Sequence, residues 1–194
     1  MEITTELIKE LRDLTGVSVI QCKKALEEAG GDKEKALVIL RKKSSDIAAK
    51  KSDRTLGAGI VQSYIHSTGN VGVLLELSCE TDFVSKNPEF KALAYDIAMH
   101  IAAANPEFLK KEDITESAKK SAREVFAKEA EGKPAAMQEK IIEGKLAAYF
   151  NDRVLLEQNF IKNGEVTIGG LISLAIQKFG EKTEVKRFVR YSVV

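Results

Sequence analysis

Residues Cys79-Glu80-Thr81-Asp82-Phe83-Val84-Ser85-Lys86-Asn87-Pro88 join the clearest strand of this chain to a helix, and the rest of the sequence can be read outward from them. Upstream, Val71, Val73, Leu75, Leu77 and Cys79 occupy alternate positions, which places all five side chains on one face of a strand. Downstream, Asn87 suits a helix cap and Pro88 suits the first turn, where a missing N–H costs nothing. Thr81 to Ser85 therefore lie at a strand-to-helix junction. Asp82 and Phe83 stand side by side there, and spacing allows two placements. Asp82 shapes the turn while Phe83 fills the core, or the two project together toward a partner.

A second apolar alternation, Ile60 to Thr68, precedes the first strand, and Gly69-Asn70 between them is a tight-turn pair, so a β-hairpin is expected. His66 falls near its tip. Helical spacing resumes after Pro88 through Phe90, Leu93, Ala94, Ile97 and Ile101, with His100 at the edge of that stripe. Asn105-Pro106 ends it. Thr115 to Ala130 reads as an amphipathic helix burying Ala118, Ala122, Val125 and Phe126, and Pro134 opens another through Ile142, Leu146, Tyr149 and Phe150. Leu155-Leu156-Glu157-Gln158 leads into a loop, Ile168 to Phe179 forms a last helix stopped by Gly180, and Val185 to Val193 is a third strand. In that strand Val185, Val189, Tyr191 and Val193 share one side and Phe188 takes the other.

Residues 4 to 42 read as three short helices. Leu7, Ile8, Leu11 and Leu14 stripe the first, with Thr4 or Thr5 as cap; Ser18 and Gln21 form a capping box before Cys22, Ala25, Leu26 and Ala29; Asp32 caps a third helix through Ala36, Leu37 and Leu40. Val19 and Ile20 start the second helix next to a loop, where they either close the core beneath Gly16 or face a partner. Arg12 lies on the polar side of the first helix. Between Arg41 and Arg54 the sequence turns basic, with Lys42, Lys43, Lys50 and Lys51, and reads as a partly helical linker. The organisation expected is a three-helix module over 1–45, a basic linker over 46–56 and an α+β core domain over 57–194, since the core's helices are grouped between its second and third strands. The sheet has apolar side chains on both faces, so the face its own helices leave open calls for a second copy of the chain.

The composition narrows the function. Among 194 residues, 30 Lys and Arg nearly cancel 29 Asp and Glu, whereas an indiscriminate nucleic-acid binder needs a basic excess. The alternative function, a nucleic-acid-binding module working through the basic linker, also lacks aromatic residues interleaved there for base stacking. No apolar run is long enough for a bilayer and the N-terminus lacks a signal-peptide core, so a cytoplasmic protein without membrane contact is expected. Cys22 and Cys79 read as buried free thiols, His66 and His100 have no ligand companions, and no P-loop is present. No catalytic constellation can be assembled from them.

The runs Glu10-Leu11-Arg12-Asp13-Leu14-Thr15-Gly16, Cys22-Lys23-Lys24-Ala25-Leu26 with Gly30-Gly31-Asp32, Cys79-Glu80-Thr81-Asp82-Phe83-Val84, Ala98-Met99-His100, Leu155-Leu156-Glu157-Gln158 and Arg187-Phe188-Val189-Arg190 closely resemble the elongation factor Ts family, in its short, single-core form. The resemblance implies a guanine nucleotide exchange factor, not an enzyme and without a cofactor, that binds elongation factor Tu in its GDP-bound and nucleotide-free states. It implies that the N-terminal module is ubiquitin-associated-like and that the core is built on antiparallel sheet. By the same resemblance Asp82 and Phe83, flanked by Thr81 and Val84, push into the GTPase near its magnesium and phosphate-binding elements, and Arg12, Val19 and Ile20 contact its nucleotide-binding domain. His66, Phe179 and Gly180 match further contact positions. Where this chain has Val19-Ile20 the family commonly has Met-Met, where it has Gln21 the family commonly has Asp, and Asn159 stands where Pro is usual. The short form implies a homodimer through the sheet, with no direct nucleic-acid contact.

Overall fold

The computed structural model describes residues 3–193, so the outermost positions of the ranges 1–45 and 57–194 lie outside the described residues. Three helices open the chain: α1 (Thr5–Thr15), α2 (Val19–Glu28) and α3 (Lys33–Lys50). Each begins on a side chain that accepts a backbone N–H from its own first turn: Thr4 from Leu7, Ser18 from Gln21 and Asp32 from Lys35. Gly16 ends α1 in the left-handed region, at φ 66°. Leu11, Cys22, Leu26, Ala36 and Leu40 are fully buried, but Leu14, expected on the α1 stripe, is exposed. The third helix does not stop at residue 42. It runs to Lys50, because its second half has a surface to lie on: Ser44 is buried, and Ile47 and Ala48 are half-buried against the core.

Among the described residues five strands follow: β1 (Ala58–Ile65), β2 (Val71–Cys79), β3 (Asn159–Phe160), β4 (Asn163–Thr167) and β5 (Thr183–Ser192). Five helices accompany them: α4 (Asp82–Ser85), α5 (Pro88–Ala104), α6 (Glu116–Ala130), α7 (Ala135–Asn151) and α8 (Ile168–Phe179). The main sheet has the antiparallel order β1-β2-β5, giving the α+β fold expected. The β1–β2 connection is longer than a two-residue turn. The last ladder pair is Ile65 with Gly72, His66 N–H bonds to Val71 O at 2.9 Å, and Gly69 N–H closes an inner turn onto His66 O at 2.8 Å.

The phase of β5 differs from simple alternation. Leu75 faces Phe188 across the ladder, yet Leu77 faces Val185, so Lys186 is an extra residue in β5 beside the Glu76/Leu77 step. That bulge puts Val185 on the same inner side as Phe188 and leaves Val189 and Tyr191 on the outer side. Val185 is buried, whereas Tyr191 is 70% exposed. The inner face lies under α5, whose Phe90, Ala94, Ile97 and Ile101 are fully buried in one continuous core with Leu75, Leu77, Ile168 and the N-terminal helices. The outer face carries Val61, Ile65, Leu74, Val189 and Tyr191, all exposed.

Residues after Gln158, expected as a loop, form the short antiparallel pair β3–β4. Asn159 is its first residue. His100 is not at the core edge but 1% exposed, between Gln158 and Phe160. The α6–α7 hairpin has a small core of its own, where Phe126 meets Tyr149 edge to face and the Arg153 guanidinium stacks on Tyr149 at 3.6 Å. Val125 lies off that seam and is exposed: the residues facing α7 step by four through Ala118, Ala122, Phe126 and Ala130. Both cysteines are free and buried, and burial pushes each thiol's pKa up.

Candidate protein-docking site at the end of the sheet

The end of β2 is where the sequence places its most informative residues, and the local chain geometry separates them into anchors and probes. The single turn α4 advances about 100° per residue, so Asp82 and Phe83 share one side and Val84 and Ser85 the other. Val84 and Ser85 are buried, and the Ser85 hydroxyl donates to Asp82 O at 3.2 Å. Phe83 is 82% exposed. Of the two placements open from spacing, core filling is excluded: the phenyl ring projects.

Asp82 is exposed as well, and its carboxylate accepts the Lys86 ammonium at 2.5 Å. That hydrogen bond, followed by the charge of Lys86, holds the carboxyl below the usual aspartate range, so Asp82 is an anion at neutral pH. Asn87 then caps α5 by accepting Glu89 N–H, with Pro88 in the first turn. The result is an apolar ring and a negative charge presented from a turn whose two sides are fixed by β2 and α5.

The last helix ends beside this turn. Phe179 is half-buried, edge-on to Phe90 at 5.9 Å between ring centroids, and Gly180 closes α8 at φ 73°. The next residue, Glu181, accepts both the N–H of Thr81 at 3.0 Å and its hydroxyl at 2.6 Å. Glu80 reciprocates by accepting Lys182 N–H at 2.5 Å, a bond that, ahead of its contact with Arg54, lowers the Glu80 pKa. Thr81, Asp82, Phe83, Val84, Phe179 and Gly180 thus gather in one place.

Arg12, Val19 and Ile20 sit on the adjoining surface. Val17, not Val19 or Ile20, closes the core beneath Gly16, and the other two are exposed, Ile20 at 68%. The Lys178 stem lies against Gly16 while its ammonium meets Glu89 at 2.6 Å, so the α1–α2 loop, the end of α8 and the start of α5 meet at one lysine. His66 is not part of this group. It lies at the far end of β2, a nine-residue strand about 30 Å long at ~3.3 Å per residue, where its Nδ1 meets the Tyr64 hydroxyl at 3.2 Å.

The basic segment is largely engaged internally. Lys43 meets Glu28 at 2.5 Å, Arg54 meets Glu80, Lys51 donates to Gly180 O, and Lys182 donates to Ser52 O and Arg54 O. The Lys51 and Lys182 contacts fasten residues 51–54 to the loop after α8, and the ion pairs of Lys43 and Arg54 take charge away from any phosphate-tracking surface. Among the described residues, no group of three or more His, Cys, Asp or Glu side chains is placed to hold a metal, and no helix is long and apolar enough to cross a membrane.

Sequence reasoning missed Lys178, Glu181 and Lys182: the pairing of β5 with β2 brings Glu181 and Lys182 to Thr81 and Glu80, the packing of α8 brings Lys178 to Gly16 and Glu89, and their spacing in the chain carries no signal.

The family model described as elongation factor TS matches residues 20–194. The chain is similar to elongation factor Ts of Carboxydothermus hydrogenoformans, 49% identical over 193 residues covering 98% of this chain and 89% of that protein. Elongation factor Ts of Thermotoga petrophila is 46% identical over 193 residues, covering 100% and 97% of the two chains. That of Fervidobacterium nodosum is 47% identical over 195 residues, covering 100% and 99%. With a family model spanning nearly the whole chain and relatives this similar from end to end, the chain belongs to the elongation factor Ts family.

Proposed function

We propose that this chain acts in translation as the guanine nucleotide exchange factor of elongation factor Tu, binding the GDP-bound GTPase, promoting GDP release and holding the nucleotide-free form. The observation that carries the reading is Phe83, exposed beside an ionised Asp82 on a turn anchored from below by Val84 and Ser85. A protein whose own core needed that ring would have buried it. Phe83 enters an apolar crevice of the GTPase, Asp82 brings negative charge to the magnesium and phosphate-binding elements, and Arg12, Val19 and Ile20 dock the N-terminal module on the nucleotide-binding domain. Phe179 and Gly180 border the same contact, and His66 serves a separate one at the other end of the sheet.

Burying one Phe contributes about 1.5–3 kcal/mol, and each tenfold gain in release rate takes about 1.4 kcal/mol from the barrier. Phe83 therefore supplies roughly one to two decades, and the docked helices supply the rest. The coupling is reciprocal: the factor by which this chain weakens GDP binding is the factor by which GDP weakens binding of this chain. Nucleotide chemistry stays in the GTPase, so the exchange factor itself acts without catalytic residue or cofactor, in the cytoplasm.

The domain division at 45 and 57 belongs to this proposal, as does a homodimer. The outer sheet face exposes Val61, Ile65, Leu74, Val189 and Tyr191 together, and a second copy presenting the same face covers it. The test of the exchange role is release of a fluorescent GDP analogue from purified elongation factor Tu. Acceleration by the wild-type chain, cut tenfold or more by Phe83→Ala with the variant still folded, is the expected result; no acceleration by wild type overturns the proposal.

A further inference from the structure

We infer that Glu181 is a positioning residue for the Asp82–Phe83 probe, acting through Thr81; the inference rests on the exchange role proposed above and deepens it. Thr81 occupies the N-cap position of α4, with φ −128° and ψ 160°. At the corresponding positions of other helices, Thr4, Ser18, Asp32, Asn87, Thr115 and Thr167 each accept a backbone N–H from the turn they start. Thr81 makes no such bond. Its hydroxyl and its own N–H both point instead at one carboxylate 100 residues further on, Oε1 and Oε2 of Glu181, at 2.6 and 3.0 Å.

The sheet register explains why these residues meet. The last backbone pair of β2 with β5 is Cys79 with Thr183. Counting on, Glu80 falls opposite Lys182 and Thr81 opposite Glu181. Backbone pairing has ended there, and two carboxylates continue it: Glu80 takes Lys182 N–H, and Glu181 takes Thr81 N–H and hydroxyl. The two segments hold each other reciprocally, with Gly180 setting the exit of α8 from which Glu181 reaches across. Hydrogen bonds to a carboxylate are the stronger kind, and two on one residue fix direction as well as distance.

What this clamp fixes is the start of a one-turn helix, which is too short to hold its own geometry. Val84 and Ser85 anchor the turn from the core side, but on the outer side Asp82 has Lys86, from the same turn, and Phe83 stands in solvent. Glu181 therefore sets the angle at which the ring and the carboxylate leave the surface. A preorganised probe needs no further ordering to reach the geometry that release requires, so its gain appears in the transition state for release. Docking through Arg12, Val19 and Ile20 does not pass through Glu181, so the clamp governs the maximal rate of GDP release and not the concentration needed for half-saturation.

The experiment pairs exchange kinetics with amide hydrogen exchange of residues 81–85, using the full chain. Glu181→Ala is expected to lower the maximal release rate about tenfold, the scale set by losing charge-assisted bonds, while half-saturation stays within about twofold. Thr81→Val falls in the same direction, Thr81→Ser restores the rate, and Glu181→Ala with Thr81→Val together is no worse than Glu181→Ala alone, because both act on one interaction. Amides 81–85 exchange faster in Glu181→Ala while the rest of the sheet is unchanged. Wild-type kinetics in Glu181→Ala, or unaltered amide exchange at 81–85, overturns the inference. If wild type itself fails to accelerate release, the exchange role falls, and the amide measurement alone decides whether Glu181 positions the turn.

Discussion

Gln177 on α8 donates its side-chain N–H to Gln21 of α2 at 3.0 Å, and its carbonyl oxygen accepts the Ser44 hydroxyl of α3. One half-buried amide thus ties two N-terminal helices to the last helix of the core. Gln21 is the position where the family commonly has Asp, and here it is committed to this internal bond one residue after the exposed Ile20. Gln177→Leu keeps the bulk and removes both bonds, leaving Ser44 with its contact to Leu40 O. The variant is expected to lose about 1–2 kcal/mol, read as a lower urea midpoint with an unchanged slope. An unchanged midpoint would show that the apolar contacts of α3 with α8 hold the module unaided.

The adjacent residues Phe83 and Val84 should separate binding from stability. Phe83 projects into solvent, so Phe83→Ala is expected to leave the unfolding free energy within about 0.5 kcal/mol of wild type. Val84 is 3% exposed, and Val84→Ala should cost about 1–2 kcal/mol through the cavity it leaves. Chemical denaturation of the two variants side by side is the check. A large loss in Phe83→Ala would mean the ring packs against the protein after all.

The outer face of the sheet yields a prediction about assembly. Gly72 pairs with Tyr191 and Leu74 with Val189, so a charge at 191 lies on the edge strand of the apolar patch, next to Val189 and Leu74. Tyr191→Lys should halve the mass measured by sedimentation while leaving the circular dichroism spectrum intact, because the side chain is exposed in the single chain. If wild type and variant sediment alike, the face is not where two copies meet.

Periodic elements were legible in the sequence because burial imposes a repeat: α5, α8 and β2 follow from their apolar spacing and from Asn87, Gly180 and the 71–79 alternation. Phase errors arose where one residue breaks the repeat. The bulge at Lys186 moves Val185 to the opposite side from Val189, and no local signal announces it, since it compensates a mismatch with β2. The β3–β4 pair is too short to display a period. At the site, Thr81 to Val84 were legible as a junction, but whether Phe83 points in or out depends on where Val84 and Ser85 are already seated. The Glu181 and Lys178 contacts depend on chain segments about a hundred residues apart in sequence and are fixed only by the tertiary pairing.

Acid sensitivity follows from His100. Gln158 donates its amide N–H to Asp152 O at 2.7 Å, which turns its carbonyl oxygen toward the imidazole, so Nε2 of His100 carries the proton and donates to it at 3.0 Å. Nδ1 is then the acceptor for Ile161 N–H at 3.4 Å. The ring is held neutral: protonating Nδ1 would set two donors against each other inside the core. Burial lowers the pKa below the ordinary value near 6.5, and the Gln158 bond offsets this only in part. The folded state therefore resists a proton that the unfolded chain accepts, so stability rises with pH through the window below about 6.5 and is flat in this respect above it. On acidification the loss begins near the unfolded pKa and continues down to the folded one, with a slope of at most about 1.4 kcal/mol per pH unit for this one group. Urea unfolding at pH 7.5 and about 5.5 should show a larger drop in wild type than in His100→Gln, which has no titrating ring there and is less stable at both. Equal drops in the two proteins would assign the acid sensitivity to the carboxylates and remove His100 from it.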